Sequence, residues 1–244
     1  MKITVIGGGS TYTPELVNGF LARAETLPLK ELWLMDIDKE RLEIVGGFAQ
    51  RMVKAKGEPF KVILSTVQKE AIADAAYVTT QLRVGMMPAR RGDEYLGLRH
   101  GLIGQETTGV GGMAKALRTI PVILSIASEI REVAQVALLA NFTNPAGLVT
   151  EALTRYAQDV PSVGVCNVGI TAKMKILEQL QEVTGSKVEA NRAVLNTLGL
   201  NHLTWHRGFT IDDEEMWQVI FPAYVESLKK EKDPEWDIPM LEAL

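Results

Sequence analysis

The chain of 244 residues has a single cysteine, Cys166, so no disulfide can form within it and a reducing compartment is the default expectation. It lacks an excess of either charge: 26 Lys and Arg against 30 Asp and Glu leave a net charge of −4, which gives nucleic acid no electrostatic footprint. The few apolar residues before the first glycines are too short a run for a signal peptide, and no later apolar run approaches the ~18 residues that span a membrane. Repeats, linkers and low-complexity tracts are absent as well. A soluble, cytoplasmic chain without nucleic-acid or membrane partners is expected, long enough for one large or two modest domains.

What is present begins at once. Lys2-Ile3-Thr4-Val5-Ile6 reads as a buried parallel strand and Gly7-Gly8-Gly9-Ser10 as a sharp turn; Thr13 and Pro14 read as N-cap and first residue of a helix. Strand, glycine turn and helix hold a dinucleotide pyrophosphate against backbone N–H groups at the positive end of the helix dipole. The second strand, Leu32-Trp33-Leu34-Met35, ends at Asp36, a carboxylate placed to accept hydrogen bonds from a ribose, somewhat further along than the usual ~20 residues. In the pattern G-x-G-x-x-G the third place holds Tyr12, where close helix packing usually wants Gly or Ala.

Strands and helices then alternate. Residues 39–56 carry apolar positions at helical spacing up to Gly57. Strands are expected at 62–64, 77–82, 136–142 and 162–166, a long helix at 114–134, and further helical segments near 148–158 and 172–184. This predicts a doubly wound parallel sheet, an α/β fold with a nucleotide-binding domain over 1–169 and the start of a second, α+β domain over 170–244. Ligands of such sheets lie beyond the carboxyl ends of the strands, and the residues there are unusually polar: Arg83-Val84-Gly85, Arg90 and Arg91 beside Asp93 and Glu94, Gly104-Gln105-Glu106-Thr107-Thr108-Gly109, Thr143-Asn144-Pro145 and Cys166-Asn167. Each has an ordinary reading too. Arginines flanked by acids form solvated faces, Asn-Pro makes a turn, and a lone cysteine is a small core hydrophobe. His202 and His206 are four apart, but Gly199, Thr204, Trp205 and Phe209 favour extended structure, which argues against a helical two-histidine metal site.

Taken together with Gly101-Leu102-Ile103 and Asn201-His202-Leu203, these runs resemble glycoside hydrolase family 4, the glycosidases dependent on NAD and a divalent metal, in order from residue 3 to about 210. The resemblance implies a mechanism without the usual pair of carboxylates. NAD⁺ takes hydride from C3 of the sugar, a base removes the acidified C2 proton, the C1 substituent leaves, water adds and the hydride returns. A metal on the C2 and C3 oxygens stabilises the enediolate.

The resemblance also implies roles. Gly7, Gly8, Gly9, Ser10 and Asp36 would bind NAD; Cys166 and His202 would ligate the metal; Arg90, Asn144 and Asn167 would contact substrate; Glu106 would raise the basicity of a catalytic tyrosine. Manganese is the expected ion, although thiolate and imidazole alone suit zinc or nickel. Members cleaving 6-phospho-α-glucosides carry aspartate after the cysteine. Asn167 has no titratable proton, so the expected substrate is a phosphorylated disaccharide with a 6-phospho-β-glucosidic bond. A dimer or tetramer is also implied.

Two alternatives stand beside this reading. One is a 2-hydroxy-acid dehydrogenase of the lactate or malate type, which shares the sheet, the glycine turn and the Asn-Pro. The other is a catalytically incomplete nucleotide-binding fragment, since the tyrosine base implied by the family is expected beyond Leu244. Tyr224, the nearest tyrosine, has helical spacing to Leu228 and reads as packing.

Overall fold

The computed structural model describes residues 1–200 and 202–230; Asn201 and the stretch 239–244 used in the sequence reading lie outside the described residues. Two compact units form, the first Met1–Val165 and the second from Cys166 onward. The first unit thus closes where its sheet closes, ahead of Gly169.

In the first unit, strands β1 (Lys2–Ile6), β2 (Glu31–Met35), β3 (Lys61–Ser65), β4 (Tyr77–Thr80), β5 (Leu138–Asn141) and β6 (Ser162–Gly164) make one parallel sheet in the order 3-2-1-4-5-6. The helices are α1 (Thr13–Leu21), α2 (Lys39–Ala55), α3 (Gln68–Ile72), α4 (Met86–Leu98), α5 (Gly109–Val133) and α6 (Ala146–Tyr156). Successive strand residues point to opposite faces. Ile3 and Val5 with Leu32 and Leu34 therefore join Val17 of α1 and Leu42 and Val53 of α2 in one core. Ile6 and Met35 join Ile72 of α3, Ile123, Ile126 and Ile130 of α5 and Leu153 of α6 in a second. Covering both faces is what makes the strands near-continuous apolar runs.

Helix α5 departs from expectation twice. It starts at Gly109 rather than 114, and by length and composition it could cross a membrane, where the sequence reading found no such run. Burial accounts for part of the apolarity: Ile123, Ile126 and Ile130 recur at helical spacing on its buried face, which also carries Lys115 and Thr119, while Met113 and Leu117 are exposed. Helix α4 was not anticipated, because Gly85, Pro88 and the Arg90–Glu94 charges obscure it.

The order 3-2-1-4-5-6 reverses direction between β1 and β4, so the crevice lies beyond the ends of those two strands. There Gly7, at φ +96°, turns the chain; a Cβ on it would stand 2.9 Å from the Gln81 carbonyl. Gly7→Ala is expected to cost about 2 kcal/mol or more, since left-handed backbone alone costs an L-residue roughly 1–2 kcal/mol. Urea denaturation reads this directly, and an unchanged midpoint would mean that the turn yields.

The second unit holds α7 (Val168–Thr184), a 3₁₀ turn (Ala190–Arg192), the antiparallel strands β7 (Ala193–Leu200), β8 (Leu203–Ile211) and β9 (Glu214–Glu215), and α8 (Trp217–Lys229). Leu177, Leu180, Ala193, Phe209 and Ile220 form its small core.

Candidate functional sites: a glycine turn and charged rim, and a cysteine–histidine pair

The glycine turn is anchored from several sides. Gly7 and Gly8 donate to the Met35 carbonyl at 2.9 and 2.7 Å. Asp36 Oδ2 accepts from Gly9 N at 2.8 Å while Oδ1 accepts from Asp38 N at 3.0 Å. Asp36 therefore shapes the turn, and each of its oxygens keeps a second lone pair. Thr13 is not the N-cap: Tyr12 is, and the Thr13 hydroxyl instead donates to Gly8 O at 2.9 Å and accepts from Gln81 Nε2 at 2.7 Å. Tyr12, in the third place of the glycine pattern, stacks on Phe142 at 5.2 Å. Its ring thus packs sideways against the segment after β5, and no glycine is needed there. Gln81, which sequence reasoning treated only as a strand residue, also donates to Gly7 O at 3.2 Å.

Beyond β4 and β5 the charged residues form a network. Arg83, Lys115 and Arg90 all pair with Glu106, Arg90 through Nε at 3.2 Å from Oε2. Arg90 Nε also donates to Glu94 at 2.8 Å. Beside them Arg118 grips buried Asp93 through two N–H groups, at 3.1 and 2.5 Å. Arg90, Asp93 and Glu94 of α4 are therefore interlocked, while Arg91 lies exposed over the Tyr95 ring. Glu106 reaches it because the loop before α5 lies hard against that helix; a Cβ at Gly111 would stand 2.3 Å from the Gln105 carbonyl.

Burial works to raise the Glu106 carboxyl, but the Lys115 hydrogen bond and the charges of Lys115, Arg83 and Arg90 outweigh it and hold the group below the usual carboxylate range. Lys115 is pushed down from the ordinary lysine value, first by burial and then by repulsion from the two arginines, which the bond to Glu106 does not fully offset. The two shifts differ in origin: three cations act together on Glu106, whereas burial is the largest influence on Lys115. Lys115 was missed in the sequence, although it falls on the buried stripe of α5 at helical spacing. Asn144, half-buried after a cis Asn144–Pro145 bond, makes no side-chain hydrogen bond among the described residues.

In the second unit Cys166 Sγ and His202 Nε2 stand 3.6 Å apart. Around a tetrahedral ion with bonds of about 2.3 Å to sulfur and 2.0–2.1 Å to nitrogen, the two atoms would be roughly 3.5 Å apart, so the pair fits a shared metal. His202 lies in the two-residue connection between β7 and β8 at φ +61°, and His206 faces Thr197 within the strands at 3.0 Å, so the two histidines do not converge. Cys166 is half-buried rather than a core thiol. No further Cys, His, Asp or Glu completes a cluster of three among the described residues. Asn167 is exposed as the N-cap residue of α7; its side chain makes no capping bond, and its Oδ1 accepts from Cys166 Sγ at 4.0 Å. It also lines a cavity of about 480 Å³ with Lys175, His206, Trp217, Phe221 and Tyr224. Tyr224, read as packing, is 42% exposed.

A doubly wound sheet with a glycine turn at its switch point has the form of a dinucleotide-binding fold, and the second unit opens on a cysteine–histidine pair. The family described as Family 4 glycosyl hydrolase matches residues 2–182, and the chain belongs to it. The chain is 45% identical, over all of its length and 55% of the relative's, to a probable 6-phospho-β-glucosidase of Bacillus subtilis. It is 40% identical, over all of its length and 54% of the relative's, to 6-phospho-β-glucosidase of Escherichia coli. The 6-phospho-β-glucosidase of Thermotoga maritima, solved with manganese, NAD⁺ and glucose-6-phosphate, superposes with a TM-score of 0.87 at 36% identity, covering 100% of this chain and 56% of that one. The chain spans about half the length of the relatives it matches.

Proposed function

We propose that the chain carries the cofactor-binding domain and metal-binding residues of a 6-phospho-β-glucosidase. The observation that carries this reading is the Cys166–His202 pair at 3.6 Å, which a 2-hydroxy-acid dehydrogenase does not need, in a chain of this family. The chemistry that NAD⁺ and manganese supply when bound is a reversible hydride sink for C3 and Lewis acidity at the sugar oxygens.

The chain's own residues have distinct tasks. The turn Gly7–Ser10 presents its backbone to the dinucleotide pyrophosphate at the start of α1, and Asp36 accepts from a ribose hydroxyl. Cys166 and His202 hold the metal and leave its other positions to substrate and water. Arg90 and Asn144 contact the sugar, and the Asn144 amide, with no side-chain hydrogen bond among the described residues, keeps both its donor and its acceptor for that purpose. Asn167 orients the glucoside but offers the leaving group no titratable proton, which favours the β-anomer. The reading places the protein in the cytoplasm, with phosphorylated sugars.

Hydrolysis of p-nitrophenyl 6-phospho-β-glucoside by the full-length gene product, with and without NAD⁺ and Mn²⁺, tests this. Activity is expected only with both present, at NAD⁺ stoichiometric with protein and without net NADH production. The 6-phospho-α-anomer and the unphosphorylated β-glucoside should be much slower. Full activity in nucleotide-free protein would sink the mechanism, and equal rates on the unphosphorylated glucoside would remove the phospho-sugar.

A further inference from the structure

We propose that Lys115 is a positioning residue of this site: from the buried face of α5 its ammonium fixes the Glu106 carboxylate, so that the acid is presented with Oε1 anchored and Oε2 toward Arg90. The inference rests on the reading above for its catalytic part and on geometry for the rest.

Lys115 cannot itself meet a ligand, because its side chain is only 3% exposed. Its polar partner among the described residues is Glu106 Oε1, the oxygen that Arg83 also takes. Oε2 meets Arg90 Nε at 3.2 Å, and that nitrogen is shared with Glu94. Arg83 and Arg90 are each about one-third exposed and could follow the acid if it turned, whereas Lys115 is held by a packed helix. The buried ammonium therefore sets the carboxylate's rotation, and Oε2 is the oxygen left able to accept a further hydrogen bond. An apolar residue at 115 would suit the stripe of α5 at lower desolvation cost, and a buried ion pair is weak support for stability by itself. A role in placing Glu106 accounts for the charge.

The groups around Glu106 are Arg83 after β4, Arg90 on α4 with Glu94 behind it, Lys115 on α5, and the Asp93–Arg118 pair that ties α4 to α5. Without Lys115, burial of the acid persists while its strongest opposing partner is gone, so Glu106 should take up a proton at higher pH.

The test compares wild type, Lys115→Met and Lys115→Arg. The Glu106 carboxyl is followed by ¹³C NMR in protein labelled at glutamate Cδ, its signal assigned by loss in Glu106→Gln, and turnover of p-nitrophenyl 6-phospho-β-glucoside is followed with NAD⁺ and Mn²⁺. Lys115→Met is expected to raise the Glu106 titration midpoint and, in parallel, the acid limb of kcat. It should lower kcat about 10²-fold, the scale of a small misplacement, with little change in KM. Lys115→Arg should recover part of each effect. An unchanged Glu106 midpoint, or a loss confined to KM, overturns the proposal. If wild type hydrolyses nothing, the functional reading fails and the Glu106 midpoint alone decides the role of Lys115. If Lys115→Met does not fold, Glu106→Gln is compared with Glu106→Gln/Lys115→Met: equal rates support action through Glu106, and a slower double variant overturns it.

Discussion

Replacing Cys166 by serine is expected to abolish manganese-dependent hydrolysis while the melting temperature and NAD⁺ binding stay where they were. The side chain is half-buried, 3.6 Å from His202 Nε2 and outside the small core of the second unit, so its removal leaves no large cavity. A hydroxyl is a far poorer ligand than a thiolate. Since even partners one shell beyond the ligands cost about 10–100-fold in metal affinity, losing a ligand should cost at least the upper end of that range. Manganese titration by electron paramagnetic resonance measures this on the resting protein, independently of turnover. His202→Asn should behave alike. Asparagine is the right replacement because it tolerates the left-handed backbone at φ +61°, where alanine would add strain of its own. Wild-type manganese affinity in either variant would remove that residue from the metal site, and a fall in stability without a fall in affinity would make the cysteine a packing residue.

Glu106→Gln carries the second large effect, on stability. The substitution keeps shape and some hydrogen bonding but leaves the enclosed Lys115 ammonium without an anion, and breaking a buried pair in this way typically costs about 3–5 kcal/mol. Arg83 and Arg90 are partly solvated and share little of that cost, so a loss of about 3 kcal/mol is expected in urea denaturation at pH 7. Adding Lys115→Met should return most of it, because the orphaned charge goes with its partner. The effect has a signed pH dependence. Glu106 titrates lower in the folded protein than in the unfolded chain, so its contribution is fully present above the unfolded value of about 4.3 and is lost as pH falls through the lower folded value. The gap between wild type and Glu106→Gln should therefore narrow on acidification below about pH 4. A constant gap down to pH 3, or a double variant no more stable than the single, would show that the pair does not dominate this region.

The fold was legible where local pattern and tertiary demand agree. β1, β2 and β3 are short apolar runs because both faces of the sheet are covered, and α2 ends at Gly57, whose φ is +83°. It was illegible where long-range packing overrides propensity. Residues 109–112 look like loop, yet they begin α5, and at Gly111 and Gly112 only glycine leaves room for the backbone of Gln105 and Thr107. Thr13 looked like a cap, but its hydroxyl is used across the sheet by Gly8 and Gln81. The site divides the same way. Asp36 is a candidate by its place at a strand end, and Cys166, His202 and Glu106 are candidates by the family resemblance, whereas Lys115 is a cation on an apolar stripe and Gln81 a polar residue at a strand end. Their significance comes from partners far along the chain, Gly7 for one and Glu106 for the other.

The anchored glycine turn bears on how long a cofactor would stay. Its carbonyls at Gly7, Gly8 and Gly9 accept from Gln81, Thr13 and Arg41 in turn, so folding alone shapes it. A ligand arriving there has no loop to freeze, and immobilising each flexible side chain elsewhere costs about 0.5–1.5 kcal/mol. Contacts made to such a surface go into residence time. In the proposed cycle the dinucleotide is reduced and reoxidised without leaving, so a slow off-rate carries no penalty there, whereas a dehydrogenase that exchanges its cofactor at every turnover must release it.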